Sequence, residues 1–332
     1  MKKQATKEKL IVEEGLVQQA EKRLRERYTT GTYQNGKPLN YSKDFIVAVS
    51  EKIAVVSEKS SPLEELNFHK NVIGSDETGK GEVFRPLIVV AAYVEKENVE
   101  QLIKWNVRDS KSYEVKDSDA RKKYEQTKEK ICDIGKKLTG YTSYQDFEKD
   151  GGSGKVIEKN NVTFVVNVIE NEEYNKKWKG SQSECDENKL VRDGHAAALK
   201  ELAKVVEYDY VVVDKFESAE NIQEALNLSK ISENKAIIAA KADGFAIAVA
   251  CASVIAKHLG YLYMEEVAAK YRLDEYEDFS QTGDFSAELR DQLWEKLDNP
   301  EMFFKKYVKK FQNVVTCLKE KQENFGALYD ED

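Results

Sequence analysis

The chain has 332 residues, of which 41% are hydrophobic and 34% charged, and its formal net charge is -8. This length is enough for roughly two domains with a buried core. A negative net charge does not indicate a nucleic-acid-binding protein. Widely spaced cysteines and three unpaired histidines argue for reduced thiols and against a zinc site; the cysteines are Cys132, Cys185, Cys251 and Cys317. We expect neither a membrane-spanning segment nor a secretory leader, and so a cytoplasmic protein.

Residues 1–70 are interpreted as a small α+β module. Residues 10–28 predict an amphipathic helix, Asn35-Gly36 predicts a hairpin turn, and two strands are expected at residues 45–49 and 53–56. Residues 60–62, Ser-Ser-Pro, are expected to be the linker to the rest of the chain. The module is either substrate-binding or a stabilising extension without a ligand.

The central stretch runs from residue 71 to residue 94. A short apolar strand ends in Asp76 and Glu77, the turn Gly79-Lys80-Gly81 follows, and Leu87–Val94 has the composition of a buried strand. Adjacent residues of a strand point to opposite sides, so the two acids can serve one site only if the chain turns there. The alternative is an ordinary β-turn with surface acids.

The middle of the chain predicts a long helix after Asp109-Ser110-Lys111, a tripeptide that either caps this helix or sets a cation beside phosphates. Residues 140–160 are expected to be a flexible surface loop because of their glycines. A strand is predicted at residues 163–169 and a helix at about 190–206, in which His195 is expected to be structural.

Residues 208–214 predict a buried parallel strand with Asp214 at its carboxyl end, where ligands of α/β sheets gather. Glu217 and Glu220 follow closely. A strand is expected at residues 235–240, and then a buried helix for which Asp243 is available as N-cap. Helices are predicted over residues 287–319, and residues 327–332 form an acidic tail.

Carboxylates at strand ends, without a histidine cluster, favour Mg²⁺ or Mn²⁺, which prefer oxygen ligands. Two such ions can activate water and stabilise the leaving oxygen in phosphodiester hydrolysis. Backbone amides of the glycine turn can recognise a ribose 2′-OH.

Five segments, taken in order, resemble the type 2 ribonuclease H family, and ribonuclease HIII in particular. DETGKGEVFRP resembles the family pattern DE-x-G-x-G-D-x-F-G-P, and VRDSK matches V-x-D-S-K. NEEYNKKW and RDGHAAALKEL are similar to the N-x-x-Y-N segment and the histidine-containing helix. VVVDKFES resembles I-D-Q-F, and KADGFAIAVACASVIAK resembles the K-A-E-S…A-S-I-I-A-R helix. The resemblance spans residues 71–313.

The resemblance implies an α/β, RNase H-like fold: a mixed five-stranded sheet flanked by helices, over residues 71–326. It implies cleavage of the RNA strand of RNA/DNA hybrids with two Mg²⁺ or Mn²⁺ ions, leaving 5′-phosphate and 3′-OH ends, without an organic cofactor. It also implies a TBP-like substrate-binding role for residues 1–70. By the same resemblance, Asp76, Glu77 and Asp214 are metal ligands, and the substrate-contacting residues are Gly79, Lys80, Gly81, Ser110 and Lys111.

The sequence departs from the family pattern at the fourth acid. Ribonuclease HIII places it four residues after the third, where this chain has Ser218. We expect Glu217 to take this role, in preference to Glu220. Ribonuclease HII instead takes its fourth acid from the turn after the A-S-I-I-A-K helix, where this chain has Tyr261.

Further departures are Arg85 in place of glycine, Lys215 in place of glutamine, and the apparent insertion at residues 140–160. Arg85 is expected either to bind phosphate or to obstruct the duplex. Three hypotheses follow: an active ribonuclease, a catalytically weakened module that binds hybrid, structured RNA or a partner protein, and a nuclease for RNA or DNA alone.

Overall fold

A computed structural model of the chain describes residues 2–30, 61–114, 119–178, 186–273 and 287–310. The predicted hairpin at Asn35-Gly36, the two strands expected within residues 45–56 and the tail at 327–332 lie outside these residues. The described strands are β1 (Val72–Thr78), β2 (Leu87–Val94), β3 (Val156–Lys159), β4 (Val162–Ile169), β5 (Tyr210–Asp214) and β6 (Ala236–Ala239). The described α-helices are α1 (Lys2–Thr30), α2 (Pro62–Phe68), α3 (Val99–Lys104), α4 (Ala120–Thr139), α5 (Tyr144–Lys149), α6 (Asn171–Lys177), α7 (Glu187–Leu202), α8 (Ala219–Leu228), α9 (Ile247–Tyr271), α10 (Ala287–Lys296) and α11 (Pro300–Tyr307).

The strands form one mixed sheet in the order β3-β4-β2-β1-β5-β6. The β3-β4, β4-β2 and β2-β1 pairs are antiparallel, whereas β1-β5 and β5-β6 are parallel. Every residue of β2 is buried, because helices cover both faces of the sheet. The predicted mixed sheet flanked by helices is therefore confirmed, but the sheet has six strands and not five.

The sixth strand comes from residues 140–160, where the prediction of a flexible loop was wrong. This segment contains α5 and β3, and β3 pairs with β4 as an edge hairpin. Ser143 and Asp146 form a reciprocal capping box that starts α5. Gly151, Gly152 and Gly154 have positive φ values, so the glycine run makes a tight connection between α5 and β3.

Two helical layers cover the sheet. On one face, α9 packs against β1 and β2, and α4 packs on α9. On the other face, α7 packs against β2, β4 and β1, and α8 packs against α7 and β6. Ile73 of β1 and Val211 of β5 are buried in the core on this side. The sheet thus places α9 and α7 on opposite sides of β1, which decides where each side chain of β1 points.

The predicted N-terminal helix is confirmed and is longer than expected. Its last turns join the main core: Tyr28 is fully buried and donates its hydroxyl to the Val107 carbonyl, 3.2 Å away. The predicted linker contributes the N-cap of α2, since Ser61 Oγ accepts from Glu64 N. Asn67 of α2 joins α1 to the start of α9. Its Nδ2 donates to the Tyr28 carbonyl at 3.2 Å, and its Oδ1 accepts from the Ile247 N–H at 3.0 Å. The division at residue 70 and a substrate-binding role for residues 1–70 stay predictions.

Helix α9 is the one described helix that is long and apolar enough to cross a membrane, with a mean hydropathy of 1.4 over its most apolar window. Of that window, 89% is buried inside the protein. Such burial is typical of the core helix of a folded domain. The small residues of α9 allow it to lie close to β1.

Candidate active site

Strand β1 carries the first two predicted acids on opposite faces. It continues through Asp76 and Glu77 to Thr78, so the turn expected at the acids begins only after them. On one face, a side chain at Gly74 would overlap the backbone of α9 at Ala248. Asp76, two residues on, points to the same side. Glu77 points to the opposite side, towards α7.

Asp76 is 7% exposed and lies beside other acids. Burial, followed by the nearby charges of Asp214, Glu77 and Asp243, raises the pKa of Asp76 well above its usual value, while a hydrogen bond from Ser253 of α9 acts in the opposite direction. Burial and the neighbouring carboxylates therefore both disfavour the ionised form of Asp76.

Glu77 is held by His195 of α7. His195 Nε2 lies 3.1 Å from Glu77 Oε2, and Nδ1 lies 2.6 Å from Ser75 Oγ. The ring stacks on Phe216, with centroids 4.7 Å apart and planes 8° from parallel. His195, which was expected to be structural, is therefore in direct contact with a candidate ligand. Its only sequence signal was the resemblance to the family's histidine-containing helix.

Asp214 ends β5 and lies next to Asp243. Asp214 Oδ1 accepts from the backbone N–H of Ala242 at 2.7 Å. Burial and the charge of Glu77 raise the pKa of Asp214, whereas the Ala242 bond lowers it. The one-turn 3₁₀ helix Ala242–Gly244 thus fastens Asp243 to the end of β5.

Asp243 is the acid that sequence reasoning missed. It is not the N-cap of the long helix, because α9 starts only at Ile247 with Ala246 in that position. Asp243 is 3% exposed, and burial together with Asp109 and Asp214 raises its pKa to about 8. The signal in the sequence was its place in the segment that resembles K-A-E-S.

Glu217, the predicted fourth ligand, has other partners. Its Oε1 lies 3.2 Å from Arg192 Nη1 and 2.6 Å from Asn221 Nδ2, and its Oε2 is buried without a hydrogen-bond partner. Ser218 serves as the N-cap of α8 by accepting from Asn221 N. Glu220 lies exposed in the first turn of α8. Asp243 is one of the acids whose charge raises the pKa of Asp76, and the charge of Asp214 in turn raises the pKa of Asp243.

The glycine turn follows β1 and is held by contacts to three elements. Gly79 has φ +85°, and its carbonyl accepts from the Lys309 ammonium. Lys80 Nζ donates to the Phe216 carbonyl at 3.0 Å. The Gly81 N–H donates to Glu187 Oε1 at 3.0 Å. The turn is therefore next to the acids, as predicted, with one of its amides bound by a carboxylate of α7.

Ser110 and Lys111 lie on the α9 side of the acids. Ser110 is 1% exposed and forms a hydrogen-bond chain: Lys257 Nζ donates to Ser110 Oγ at 2.7 Å, and Ser110 Oγ is 2.9 Å from Ser253 Oγ. Lys111 is more accessible. Burial works against its charge, but Asp243, Asp214 and Asp76 outweigh that and raise the pKa of Lys111. Lys111 is placed to meet an anion, whereas Ser110 is internal.

Arg85 does not face the acids. Its side chain is 11% exposed, its Nη1 pairs with Glu82 Oε1 at 3.0 Å, and its guanidinium lies 4.8 Å from the centroid of the Tyr261 ring. Gly260 leaves the room that its aliphatic part fills. The expected roles in phosphate binding or obstruction gain no support, because Arg85 is packed inside the fold.

The carboxylates are close enough to influence one another but not yet arranged as a metal cage. Among the described residues, no group of three or more His, Cys, Asp or Glu side chains converges tightly enough to hold a metal ion. The donors nearby are all carboxylate oxygens, apart from His195, and this set suits a hard cation.

The family model described as Ribonuclease HII matches residues 73–309. A protein of Staphylococcus saprophyticus named ribonuclease HIII is 29% identical over 209 residues, which are 61% of this chain and 54% of that protein. A ribonuclease HIII of Staphylococcus haemolyticus is 26% identical over 260 residues, 75% of this chain and 70% of that protein. The first of these alignments spans about half the length of the curated relative.

Solved structures share the fold. A structure described as Bst-RNase HIII in complex with Mn²⁺ aligns with a TM-score of 0.56 and 19% identity, covering 89% of this chain and 80% of that one. The Q54A variant of Bst-RNase HIII aligns with a TM-score of 0.55 and 18% identity, covering 86% and 76%. The predicted α/β, RNase H-like fold and the resemblance to ribonuclease HIII are both confirmed.

Proposed function

The chain belongs to the ribonuclease HII family, and on that premise we propose that it is a metal-dependent endoribonuclease. Its substrate would be an RNA/DNA hybrid, cleaved in the RNA strand to leave 5′-phosphate and 3′-OH ends in the cytoplasm. One observation supports this most: the buried carboxylates of Asp76 and Asp243 and the half-buried carboxylate of Asp214 lie near one another where the parallel strands β1, β5 and β6 end.

Divalent cations suit this site. The raised pKa values of Asp76, Asp214 and Asp243 follow from burial and from the nearby carboxylates, and bound Mg²⁺ or Mn²⁺ would offset that repulsion. A related fold has been solved with Mn²⁺. When bound, two such ions supply an activated water and charge stabilisation at the leaving oxygen. The described side chains do not yet converge on such an ion, so binding would have to draw them together.

We assign the metal ligands to Asp76, Glu77, Asp214 and Asp243. Glu77 would reach the site from the opposite face of β1, with His195 fixing its orientation. Glu217 stays the alternative fourth ligand, because its Oε2 is buried and has no hydrogen-bond partner. To act so, Glu217 would have to release Arg192 or offer this second oxygen.

The substrate contacts would come from the glycine turn and from Lys111. The backbone of Gly79-Lys80-Gly81 directly follows the acids, and such amides can recognise a 2′-OH. Lys111 places an ammonium among Asp243, Asp214 and Asp76, where it can bind a phosphate next to the scissile one. Ser110 would act indirectly, through Ser253 and Asp76.

The experiment that tests this proposal is cleavage of an end-labelled RNA/DNA hybrid with Mg²⁺ and with Mn²⁺ separately. Wild type should release fragments with 3′-OH ends, and Asp76→Asn should bind the hybrid without cleaving it. Single-stranded RNA and double-stranded DNA of the same sequence serve as substrate controls. Cleavage that Asp76→Asn leaves unchanged would reject this assignment of the site.

A second candidate is a hybrid-binding or protein-binding module with weak catalysis. It is favoured by the carboxylates that do not converge and by Ser218 at the usual position of the fourth acid. Hybrid binding by wild type, without turnover in either metal, would support this candidate over the nuclease.

A further inference from the structure

Lys309 is a buried cation far from the acids in sequence but attached to the turn that follows them. It is 4% exposed. Its ammonium donates to the carbonyl of Gly79, 230 residues earlier, and lies 5.4 Å from the centroid of the Tyr174 ring. Burial lowers the pKa of Lys309 to about 8, against the opposing effect of the nearby Glu187 and Glu82 carboxylates.

Burying an ammonium costs free energy of desolvation, whereas an apolar side chain of similar length would fill the same space without that cost. The presence of a lysine here therefore directs attention to the hydrogen bond that its ammonium makes. The acceptor of this hydrogen bond is the main-chain carbonyl of Gly79, a residue whose backbone is in the left-handed region. A side chain at Gly79 would overlap the Pro86 carbonyl, so the backbone here has a narrow range of conformations. Lys309 therefore contacts the turn at Gly79, the residue whose backbone conformation is most restricted.

The segment around Lys309 is fastened to the same turn by its backbone. Lys309 N–H donates to the Val83 carbonyl at 2.9 Å. Asn171 of α6 donates to the carbonyls of Phe84 and Tyr307, at 2.6 Å each. These bonds join the two ends of the family-matching region, and we call residues 307–310 the clasp.

Asn175 of α6 forms two hydrogen bonds with the backbone of the clasp. Its Nδ2 donates to the Val308 carbonyl at 2.7 Å, and its Oδ1 accepts from Lys310 N–H at 2.6 Å. On the other side of the turn, Glu187 accepts from Gly81 N–H and lies 3.9 Å from Lys310 Nζ. The turn is therefore gripped at Gly79 by Lys309 and at Gly81 by Glu187.

We propose that Lys309 is a positioning residue, whose buried ammonium fixes the Gly79 carbonyl and so sets the orientation of Gly79-Lys80-Gly81 relative to Asp76 and Glu77. The proposal rests on the proposed function in one respect: the turn contacts the RNA strand. Lys309 itself touches neither substrate nor reacting atoms. Its removal should weaken productive substrate binding more than it weakens metal binding.

The test begins with hydrogen exchange of the turn amides, measured without hybrid or metal. In Lys309→Met, protection at residues 79–83 should fall at least about tenfold, while β2 and α9 keep theirs. Lys309→Arg retains a charged donor and should restore most of the protection. Lys305→Met, at an exposed site on the last turn of α11, is the matched control and should behave as wild type. Unchanged exchange of the turn in Lys309→Met would overturn the proposal.

Hybrid cleavage then separates positioning from general stability. Lys309→Met should raise KM several-fold while the Mn²⁺ dissociation constant stays within about twofold of wild type. An equal loss of protection in the turn, β2 and α9 would mean that Lys309 only stabilises the fold.

If Lys309→Met fails to fold, Asn175→Ala is the second variant. It removes the hydrogen bonds to the clasp at a half-buried site and should show the same local loss of protection in the turn. Unchanged exchange of the turn in Asn175→Ala would also count against the proposal. Because exchange needs no activity, its result stands even if wild type does not cleave hybrids.

Discussion

His195 of α7 contacts Glu77 of β1 through Nε2, while Ser75 on the other side of the ring sets the tautomer of the imidazole. Ser75 Oγ lies 3.0 Å from the Val90 carbonyl, to which it donates its only proton. Ser75 must therefore accept from Nδ1–H of His195. Nε2 faces Glu77 Oε2 at 3.1 Å, so the ring is oriented by Ser75 on one side and meets the candidate ligand on the other.

His195→Ala should lower divalent-metal affinity or hybrid cleavage by about 10- to 100-fold, because the partner that orients a ligand is lost. The measurement is Mn²⁺ binding by calorimetry together with the cleavage rate. His69→Ala, at an exposed histidine, is the control. Metal affinity equal to wild type in His195→Ala would show that Glu77 needs no such support.

Asp243→Asn and Glu217→Gln distinguish the two candidates for the fourth ligand. Removing the Asp243 charge should reduce Mn²⁺ affinity and cleavage by at least about tenfold, since Asp243 lies beside Asp214. Glu217→Gln should affect mainly stability, by about 1–3 kcal/mol, because it leaves Arg192 without its charged partner. Urea unfolding and metal titration of both variants give the answer. A cleavage loss confined to Glu217→Gln would restore the expectation drawn from the sequence.

Lys111→Ala should weaken hybrid binding and reduce the slope of log affinity against log salt by roughly one, because one phosphate contact is lost. Ser110→Ala is the matched comparison: Ser110 is buried, so the salt slope should stay as in wild type. Fluorescence anisotropy with a labelled hybrid at several salt concentrations, in Ca²⁺ to prevent cleavage, measures both. Equal slopes for Lys111→Ala and wild type would remove Lys111 from the substrate contacts.

His258 should make the protein less stable as the pH falls from about 6.5 to 4. Burial lowers the pKa of His258 to about 4, against the smaller opposing effect of its bond to the Tyr141 carbonyl. The unfolded chain therefore binds a proton in this window that the folded chain does not, and stability is lost as the pH falls, by up to about 3 kcal/mol.

Urea unfolding of wild type and His258→Leu at several pH values isolates this effect. The variant should start less stable at pH 7, because Tyr141 loses its donor, but the difference between the two proteins should shrink as the pH falls. A constant difference from pH 6.5 to 4 would contradict the prediction.

Gly74→Ala should destabilise the fold by more than about 4 kcal/mol or prevent folding, because its Cβ would overlap the backbone of α9 at Ala248 and Val249. Gly15→Ala is the contrasting change: nothing lies within 4 Å of a Cβ in that helical position, and stability should rise by up to about 1 kcal/mol. Thermal unfolding of both variants checks the pair. A soluble Gly74→Ala protein with wild-type stability would mean that α9 can move away from β1.

Local patterns in the sequence determined most elements of the fold. The run Leu87–Val94 gave β2 with its observed bounds, since a strand buried on both faces is a continuous apolar run. The acids Asp76, Glu77 and Asp214 and the glycine turn were found because their spacing matches a family pattern. The loop expected at residues 140–160 shows the limit: a four-residue edge strand is defined by its partner β4, and glycines at its start hid it.

Only the tertiary structure decided which acids meet. The sequence around Asp243 is typical of a helix cap. Asp243 becomes a member of the acidic cluster because it follows β6, and β1, β5 and β6 are parallel neighbours whose carboxyl ends lie together. Arg85 and Glu217 looked like site residues by position, but burial against Tyr261 and pairing with Arg192 occupy them. The sequence determines which groups are available. The pairing of strands that are distant in the chain determines which of these groups share a low-dielectric site. No local sequence pattern indicates that pairing.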